Sequence, residues 1–359
     1  MTKLNDCTCA SFTALPTEEK VKLLSQPNGL PYHTLFAQQF NRQILDDLCA
    51  LATEIRTIAK SKTGMQFLQS QLSHKRVMLY FSQPSSRTFL SFLAACQILG
   101  IDTGEVRDSM TSSEFKGESR EDSIRTFSSY FDMIIMRTPE KGLAEHMACI
   151  LSKSERPVPI INAGSGKDQH PTQALLDIYT LQRSFERRGG LANRTVVFVG
   201  DLARGRTVRS LSNLLMNYTN IKQIFVAPES LQIGQDVLDT LTQHNIPWNR
   251  TSDMASVLPD ADAVYMTRIQ DEWDKESGES KKIDISKFSI GIEEMKLMRP
   301  DSILMHPLPR RAEISTDVDS DPRSMYWRQM RNGMWVRAAL ICTTFGCANQ
   351  IHDFYTGSM

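Results

Sequence analysis

The stretch FSQPSSRTFLSF, Phe81 to Phe92, follows the apolar run VMLY and gathers Ser85, Ser86 and Thr88 around Arg87, with no acidic residue among them. Hydroxyls, the N–H groups of a helix start and a guanidinium fork together suit a phosphate dianion. An ordinary Ser/Thr helix cap is the competing reading, and the sequence weighs the two equally. Arg137 leaves the apolar run DMIIM where a core residue would otherwise end it, which suits either a planar oxyanion or a structural salt bridge. PVPIINAG is followed by SGKDQHPTQ, with His170 just before the helix start and Gln173 in its first turn. A neutral imidazole and a carboxamide can polarise a carbonyl without adding charge.

The pattern recurs further along. Arg206 opens a helix after VVFVGDLARG, Arg268 and Gln270 follow DAVYMT, and SILMHPLPRR sets Pro307 and Leu308 in a Pro-fixed turn that presents backbone carbonyls. The glycines at 200 and 205 do not fit G-x-G-x-x-G and no Walker loop is present, so neither a nicotinamide nor a nucleotide site is expected. Paired carboxylates, a Ser-His-Asp arrangement and a metal-ligand set are likewise missing from the sequence pattern; the Cys-Thr-Cys at Cys7 and Cys9 has a gap unlike zinc spacings. Arg87, Arg137, Arg206 and Arg268 exceed what one phosphate needs, which points to a phosphate plus further carboxylates.

Such residues must be held by strands, because ligands of open parallel sheets sit beyond the carboxyl ends of the strands. Near-continuous apolar runs (KRVMLYF, DMIIMR, PVPIINAG, TVVFVG, QIFVAP, DAVYMT, SILMHP) alternate with helical patterns, predicting an α/β protein with two doubly wound parallel-sheet domains and an active site in the cleft between them. At 359 residues, with 41% hydrophobic content, the chain is long enough for both. The pattern gives an N-terminal extension over 1–33 with at most one helix, a first domain over 34–187, a second over 188–325, and a helical segment over 326–359 packing back on the first. A loop is expected just before KRVMLYF, and DKESGESKK reads as a mobile loop. Lys+Arg and Asp+Glu are both 41, so no basic field is offered to nucleic acid or an anionic membrane. Without an apolar leader or a run of about 18 apolar residues, a soluble cytoplasmic protein is expected. The seven cysteines, mostly in apolar helical contexts, read as reduced thiols filling core space.

Taken in order, PSSRT, FKGES, MRTP, INAG, QHPTQALLD, VGDLARGRTVRSL, MTRIQ, MHPLPR and DVDSDPRSMYWRQMRNGMWVRAALI resemble the aspartate carbamoyltransferases, from about residue 35 to the C-terminus. The resemblance implies carbamoyl transfer from carbamoyl phosphate to L-aspartate in pyrimidine biosynthesis, with no cofactor and no metal. It implies that Ser85, Ser86, Arg87, Thr88 and Arg137 hold the phosphate. Arg87, Thr88 and His170 would surround the carbonyl oxygen; Gln173 and the Pro307 and Leu308 carbonyls would hold the carbamoyl NH2. Arg206, Arg268 and Gln270 would take the aspartate carboxylates. Ser112 and Lys116 would enter a neighbouring subunit's site within a homotrimer, Lys116 serving both catalysis and aspartate binding.

Departures from the family pattern fall at Gln83, Ser86, Phe89, Ser165 and Trp273, where the family usually has Glu, Thr, Arg, Asp and Arg. Those at 83 and 273 imply that domain closure rests on a neutral hydrogen bond from Gln83 to Arg206 and on packing of Trp273. An ornithine-type transcarbamoylase would carry a Ser-Met-Gly loop and a His-Cys-Leu-Pro motif, which this sequence lacks. A non-catalytic paralogue, or one using another amine, is the remaining alternative; nothing in the sequence bears on regulatory chains.

Overall fold

A computed structural model describes residues 7–26, 29–107, 117–166, 169–271 and 286–357. The chain forms two units, Met1–Leu175 with Gly333–Met359, and Leu176–Asn332. The first unit begins with α1 (Cys9–Ala14), α2 (Thr17–Leu24), α3 (Arg42–Ile58), α4 (Lys62–Gln71), β1 (Arg76–Phe81), α5 (Ser86–Ile98) and β2 (Asp102–Val106). It continues through α6 (Arg120–Tyr130), β3 (Met133–Thr138), α7 (Leu143–Ser152), β4 (Ile160–Ser165) and the start of α8 (Pro171–Phe185). Its strands are all parallel, in the order β2-β1-β3-β4. Every residue of β3, and all of β1 after Arg76, is buried, as a strand covered on both faces requires. The polar β2, mostly exposed, takes the edge.

The helices follow from local chemistry. Asn41 caps α3 by accepting from the Ile44 N–H at 3.0 Å, and Leu45, Leu48, Ala52 and Ile55 then turn one stripe inward. Gly100 stops the chain after α5 at φ +73°, where a Cβ would lie 1.8 Å from the Gln69 carbonyl oxygen. Only glycine fits there.

The second unit carries β5 (Thr195–Val199), α9 (Arg206–Leu215), β6 (Lys222–Val226), α10 (Gln235–Gln243), β7 (Trp248–Thr251), β8 (Ala263–Met266), α11 (Ile292–Leu297) and β9 (Ile303–Met305). Its parallel sheet runs β7-β6-β5-β8-β9. The last helices are α12 (Tyr326–Phe345) and α13 (Ala348–Gly357). The divisions between units fall within α8 and α12. The α/β class with two parallel sheets agrees with the sequence expectation.

Several expectations are corrected. The N-terminal segment holds two helices rather than at most one, and both dock on α7: Phe12 of α1 is fully buried in the same apolar cluster as Met147 and Ala148, and Lys20 of α2 forms a buried ion pair with Glu145. Six- and eight-residue helices are too short to show a period, so tertiary contacts fix them. The loop expected before β1 contains α4, α11 and β7 were not expected, and the helical segment expected over 326–359 is divided into α12 and α13. Phe354 of α13 stacks on Phe67 of α4 at 3.9 Å, a pairing that sequence periodicity does not reveal. The cysteines are not all thiols. Cys9 is bonded to Cys149 across 140 residues (Cα–Cα 5.6 Å) and Cys342 to Cys347 (5.2 Å). Cys49 and Cys96 do remain buried thiols, and burial pushes the Cys96 thiol up to about 12. Spacing along the chain does not reveal long-range pairing. DKESGESKK lies outside the described residues.

His33 joins the N-terminal segment to the sheet. Its Nδ1 accepts the Ile160 N–H at 3.0 Å, and its Nε2 lies 2.8 Å from Ser152 Oγ, whose own hydroxyl is donated to the Ala148 carbonyl. The ring is therefore neutral with its proton on Nε2. Burial pushes its pKa down to about 3.

Two predictions follow from these contacts. Lys20→Met alone leaves Glu145 buried and unpaired and should cost about 3–5 kcal/mol by urea unfolding, whereas Lys20→Met with Glu145→Leu should recover most of that. Additive losses in the double variant would show that the two residues are not coupled. Because the folded His33 pKa lies below the unfolded value, the unfolded state binds the extra proton. Stability from this group is thus complete above pH 6.5 and declines as pH falls toward 3, by up to about 1.4 kcal/mol per pH unit. His33→Asn should flatten that slope in a pH series of unfolding curves; an unchanged slope would assign the acid sensitivity elsewhere.

Candidate active site

Both sheets reverse their strand order once. β2 lies on one side of β1 and β3 on the other; β6 lies on one side of β5 and β8 on the other. At such a reversal the connections leave the carboxyl ends of adjacent strands in opposite directions and open a crevice there. Ser85, Ser86, Arg87, Thr88 and Arg137 stand at the first of these places and Arg206, Arg268 and Gln270 at the second, while His170 and Gln173 follow β4 and Pro307 and Leu308 follow β9.

In the first unit, β1 leads through Pro84 into α5. Ser85 occupies the N-cap position, yet its hydroxyl makes no capping hydrogen bond, so the ordinary-cap reading does not account for it. Ser86 and Arg87 are exposed in the first turn and Thr88 is buried. On the neighbouring strand Arg137 pairs in register with Phe81, and its carbonyl accepts the Gln83 N–H at 3.3 Å. The β3–β4 register slips between Met136 and Thr138, where Gly164 adopts φ +119°. Such a bulge re-aims the side chain beside it. Arg137 is 8% exposed, and its Nη1 donates to the neutral Ala163 carbonyl at 3.2 Å. Asn162 braces the end of β4, accepting the Gly164 N–H at 2.8 Å while its Nδ2 donates to the Leu35 carbonyl and to Ser165 Oγ, each at 3.2 Å. His170 and Gln173, both buried, follow at the start of α8. Ser85, Ser86, Arg87, Thr88, Arg137, His170 and Gln173 thus all stand at the carboxyl ends of strands of the first sheet.

In the second unit, Gly200 ends β5 at φ +113°, with the site of a Cβ only 2.1 Å from the Thr267 carbonyl oxygen, so the β5 and β8 exits lie against each other. Asp201, fully buried, accepts the Gln270 N–H at 3.0 Å through Oδ2 and the Arg204 N–H at 3.1 Å through Oδ1. Arg204 Nη1 returns to the Gln270 carbonyl at 3.1 Å. This clasp sets the backbone that carries Arg268 and Gln270, while Arg206 opens α9 from the other side of the crevice. Arg268 Nη1 donates to the Ile269 carbonyl at 2.9 Å and stands 3.9 Å from Asp271. Asp271 itself is engaged by Arg311 at 2.9 Å, and that hydrogen bond holds its carboxyl below the usual range.

The β9 exit, next in the sheet, presents Pro307 and Leu308. Two buried networks fix it. Gln329 Oε1 accepts the His306 N–H at 2.9 Å, and its Nε2 donates to Asp177 Oδ1 at 2.7 Å; Tyr265 donates to Asp177 Oδ2 at 2.8 Å. The His306 ring lies between the Leu308 N–H and Glu313, each at 2.8 Å. Burial would raise the Glu313 pKa, but the hydrogen bonds from His306 and the Arg311 N–H outweigh it and hold the carboxyl below its ordinary range. Arg310 is committed to Asp319 and Tyr326.

Pro307 and Leu308, read as partners of Gln173, belong to the second unit, and Gln173 to the first. Ser112, Lys116 and Trp273 lie outside the described residues. Sequence reading assigned no role to Asn162, Asp177, Asp201, His306, Glu313 or Gln329; only Asp201, directly after TVVFVG, and His306, directly after SILM, carried a usable signal. Among the described residues no group of three or more His, Cys, Asp or Glu is placed to hold a metal ion, and no helix is long and apolar enough to cross a membrane.

Comparison with known proteins places this geometry. Residues 32–183 match the family model for the aspartate/ornithine carbamoyltransferase carbamoyl-P binding domain, and residues 192–344 match that for the Asp/Orn binding domain. The chain is 40% identical over 309 residues to aspartate carbamoyltransferase 3, chloroplastic, of Pisum sativum, an alignment covering 85% of this chain and 75% of that one. It is 39% identical over 311 residues to the aspartate carbamoyltransferase catalytic subunit of Finegoldia magna, covering 86% and 96%. The crystal structure of aspartate transcarbamoylase from Trypanosoma cruzi in complex with aspartate and phosphate superimposes with a TM-score of 0.75 at 36% identity, covering 89% of this chain and 97% of that one. With both family domains matched in order and relatives of this similarity along most of its length, the chain belongs to the aspartate/ornithine carbamoyltransferase family.

Proposed function

We infer that this protein transfers the carbamoyl group of carbamoyl phosphate to the α-amine of L-aspartate, giving N-carbamoyl-L-aspartate and phosphate, a step of de novo pyrimidine synthesis. One observation carries the reading: hydroxyls and cations suited to a phosphate stand at the reversal of the first sheet, and further cations suited to carboxylates stand at that of the second. The Trypanosoma relative, solved with aspartate and phosphate, supports the same pair of anions. Arg268 and Gln270 after β8 favour aspartate over ornithine, because an ornithine side chain is cationic.

In this reading Ser85, Ser86, Arg87, Thr88 and Arg137 hold the phosphate. Arg206, Arg268 and Gln270 hold the two carboxylates, and Gln173 with the Pro307 and Leu308 carbonyls holds the carbamoyl NH2. The neutral amine attacks the carbonyl carbon, a C–N bond forms, and the C–O bond to phosphate breaks. His170, Thr88 and Arg87 stabilise the developing oxyanion, and the amine's proton leaves with the departing phosphate. No covalent nucleophile is required, since the substrate is already a mixed anhydride and the rate comes from positioning and oxyanion stabilisation. Ser112 and Lys116 act from a neighbouring subunit in this reading, so the working form is an oligomer, taken here as a homotrimer in the cytoplasm.

Phosphate release with carbamoyl phosphate should depend on L-aspartate and not L-ornithine, and His170→Ala should lower kcat by about 10²–10³. A folded protein inactive with both amines would instead favour a non-catalytic paralogue. Shared sites make a second prediction: Lys116→Ala and His170→Ala proteins, each nearly inactive, should regain part of the wild-type rate when dissociated and reassembled together. Mixtures no more active than their components would place Lys116 in its own subunit's site.

A further inference from the structure

We propose that His306, oriented by Glu313, is a positioning residue that aims the Pro307 and Leu308 carbonyls at the carbamoyl group, an inference that rests on the reaction inferred above. The imidazole is 1% exposed and Glu313 is 6% exposed, so neither reaches substrate from solvent as an acid or base. Leu308 N–H donates to His306 Nδ1 at 2.8 Å. That contact requires a bare Nδ1, so the ring proton sits on Nε2, 2.8 Å from Glu313 Oε1. The same carboxylate oxygen also accepts the Arg311 N–H at 3.0 Å, which fixes it on the far side of the turn. Glu313 thus selects the tautomer, and the tautomer selects where the Leu308 N–H points.

The consequence for the carbonyl is geometric. The Leu308 N–H and the Pro307 C=O belong to one planar trans peptide, so fixing the N–H on the ring turns the Pro307 oxygen the opposite way. Leu308 itself sits at φ +55°, a left-handed conformation that a leucine rarely adopts unless its surroundings hold it. The anchor behind the ring is equally built: His306 N–H is held by Gln329, and Gln329 by the fully buried Asp177. Pro307 and Pro309 have no N–H, so the ring holds the one amide donor of the tripeptide.

The test uses this single amide. In the full-length protein, hydrogen exchange at Leu308 should be slow in the wild type and at least about tenfold faster in His306→Leu, which keeps bulk but offers no acceptor. His306→Asn, whose Oδ1 can stand where Nδ1 stood, should restore protection. In activity, His306→Leu should lower kcat by about ten- to a hundredfold while the Kd for inorganic phosphate changes less than about threefold, and His306→Asn should recover most of the loss. Should His306→Leu fail to fold, Glu313→Leu frees the tautomer while keeping the ring and should raise exchange and lower kcat in the same sense. Unchanged Leu308 exchange in the leucine variants overturns the proposal, as does His306→Asn behaving like His306→Leu in both readouts. If the wild-type protein showed no transferase activity, the inferred reaction would fall, and the exchange comparison would still decide whether His306 holds the turn.

Discussion

Reversal of strand order is the constraint on which everything else in this molecule rests. Parallel strands need crossovers that pack helices over both faces, and where successive crossovers go to opposite sides, two strand ends are left uncovered side by side. Each sheet has one such place, between β1 and β3 and between β5 and β8. Backbone N–H groups at the following helix starts are available there, and charge can be placed without burying it in the sheet. The chemistry of the chain is concentrated where the topology leaves room.

Buried polar groups convert that room into fixed geometry. Asp177 and Asp201 are both fully buried, and both accept hydrogen bonds from neutral donors: Tyr265 and Gln329 in one case, backbone N–H groups in the other. Burying a carboxylate costs several kcal/mol unless its lone pairs are satisfied, so each tolerates few alternative arrangements of its neighbours. That intolerance is useful. Asp201 locks the β5 exit to the β8 exit, and the Asp177–Gln329 pair ties the β9 exit to α12. A purely apolar packing of the same turns would allow them to slide, because dispersion contacts are not directional.

The inner strands of both sheets could be read from the sequence because a strand buried on both faces must be apolar throughout, as in Val77–Phe81 or Val196–Val199, whereas the polar edge strand β7 could not. The charged and hydroxyl residues after them were legible because they interrupt such runs. What escaped was determined by contacts distant in sequence. α1 and α2 exist because Phe12 and Lys20 find α7 more than 120 residues away, and Cys9 finds Cys149 across 140. α13 exists because Phe354 and His352 find Phe67 and Glu54. Glu313 was invisible for a related reason: it lies seven residues after His306 in a segment that is neither helix nor strand, and only the folded turn brings the two together.

The arrangement of acids in the second unit also bears on how an amine can act as nucleophile at neutral pH. The α-amine of aspartate attacks only when unprotonated, and an uncommitted carboxylate beside it would stabilise the ammonium and hold it inactive. Two acids placed beside the β8 exit among the described residues are not available for that. Asp201 is spent on the Gln270 and Arg204 N–H groups, and Asp271 on Arg311, whose hydrogen bond also keeps its carboxyl ionised and occupied. Arg206 and Arg268 add positive charge at the exits of β5 and β8, which suits carboxylates and disfavours an ammonium together. On the proposed assignment, the charges that would hold the second substrate would also poise its amine for attack, and a dedicated base would be unnecessary because the departing phosphate could take the proton.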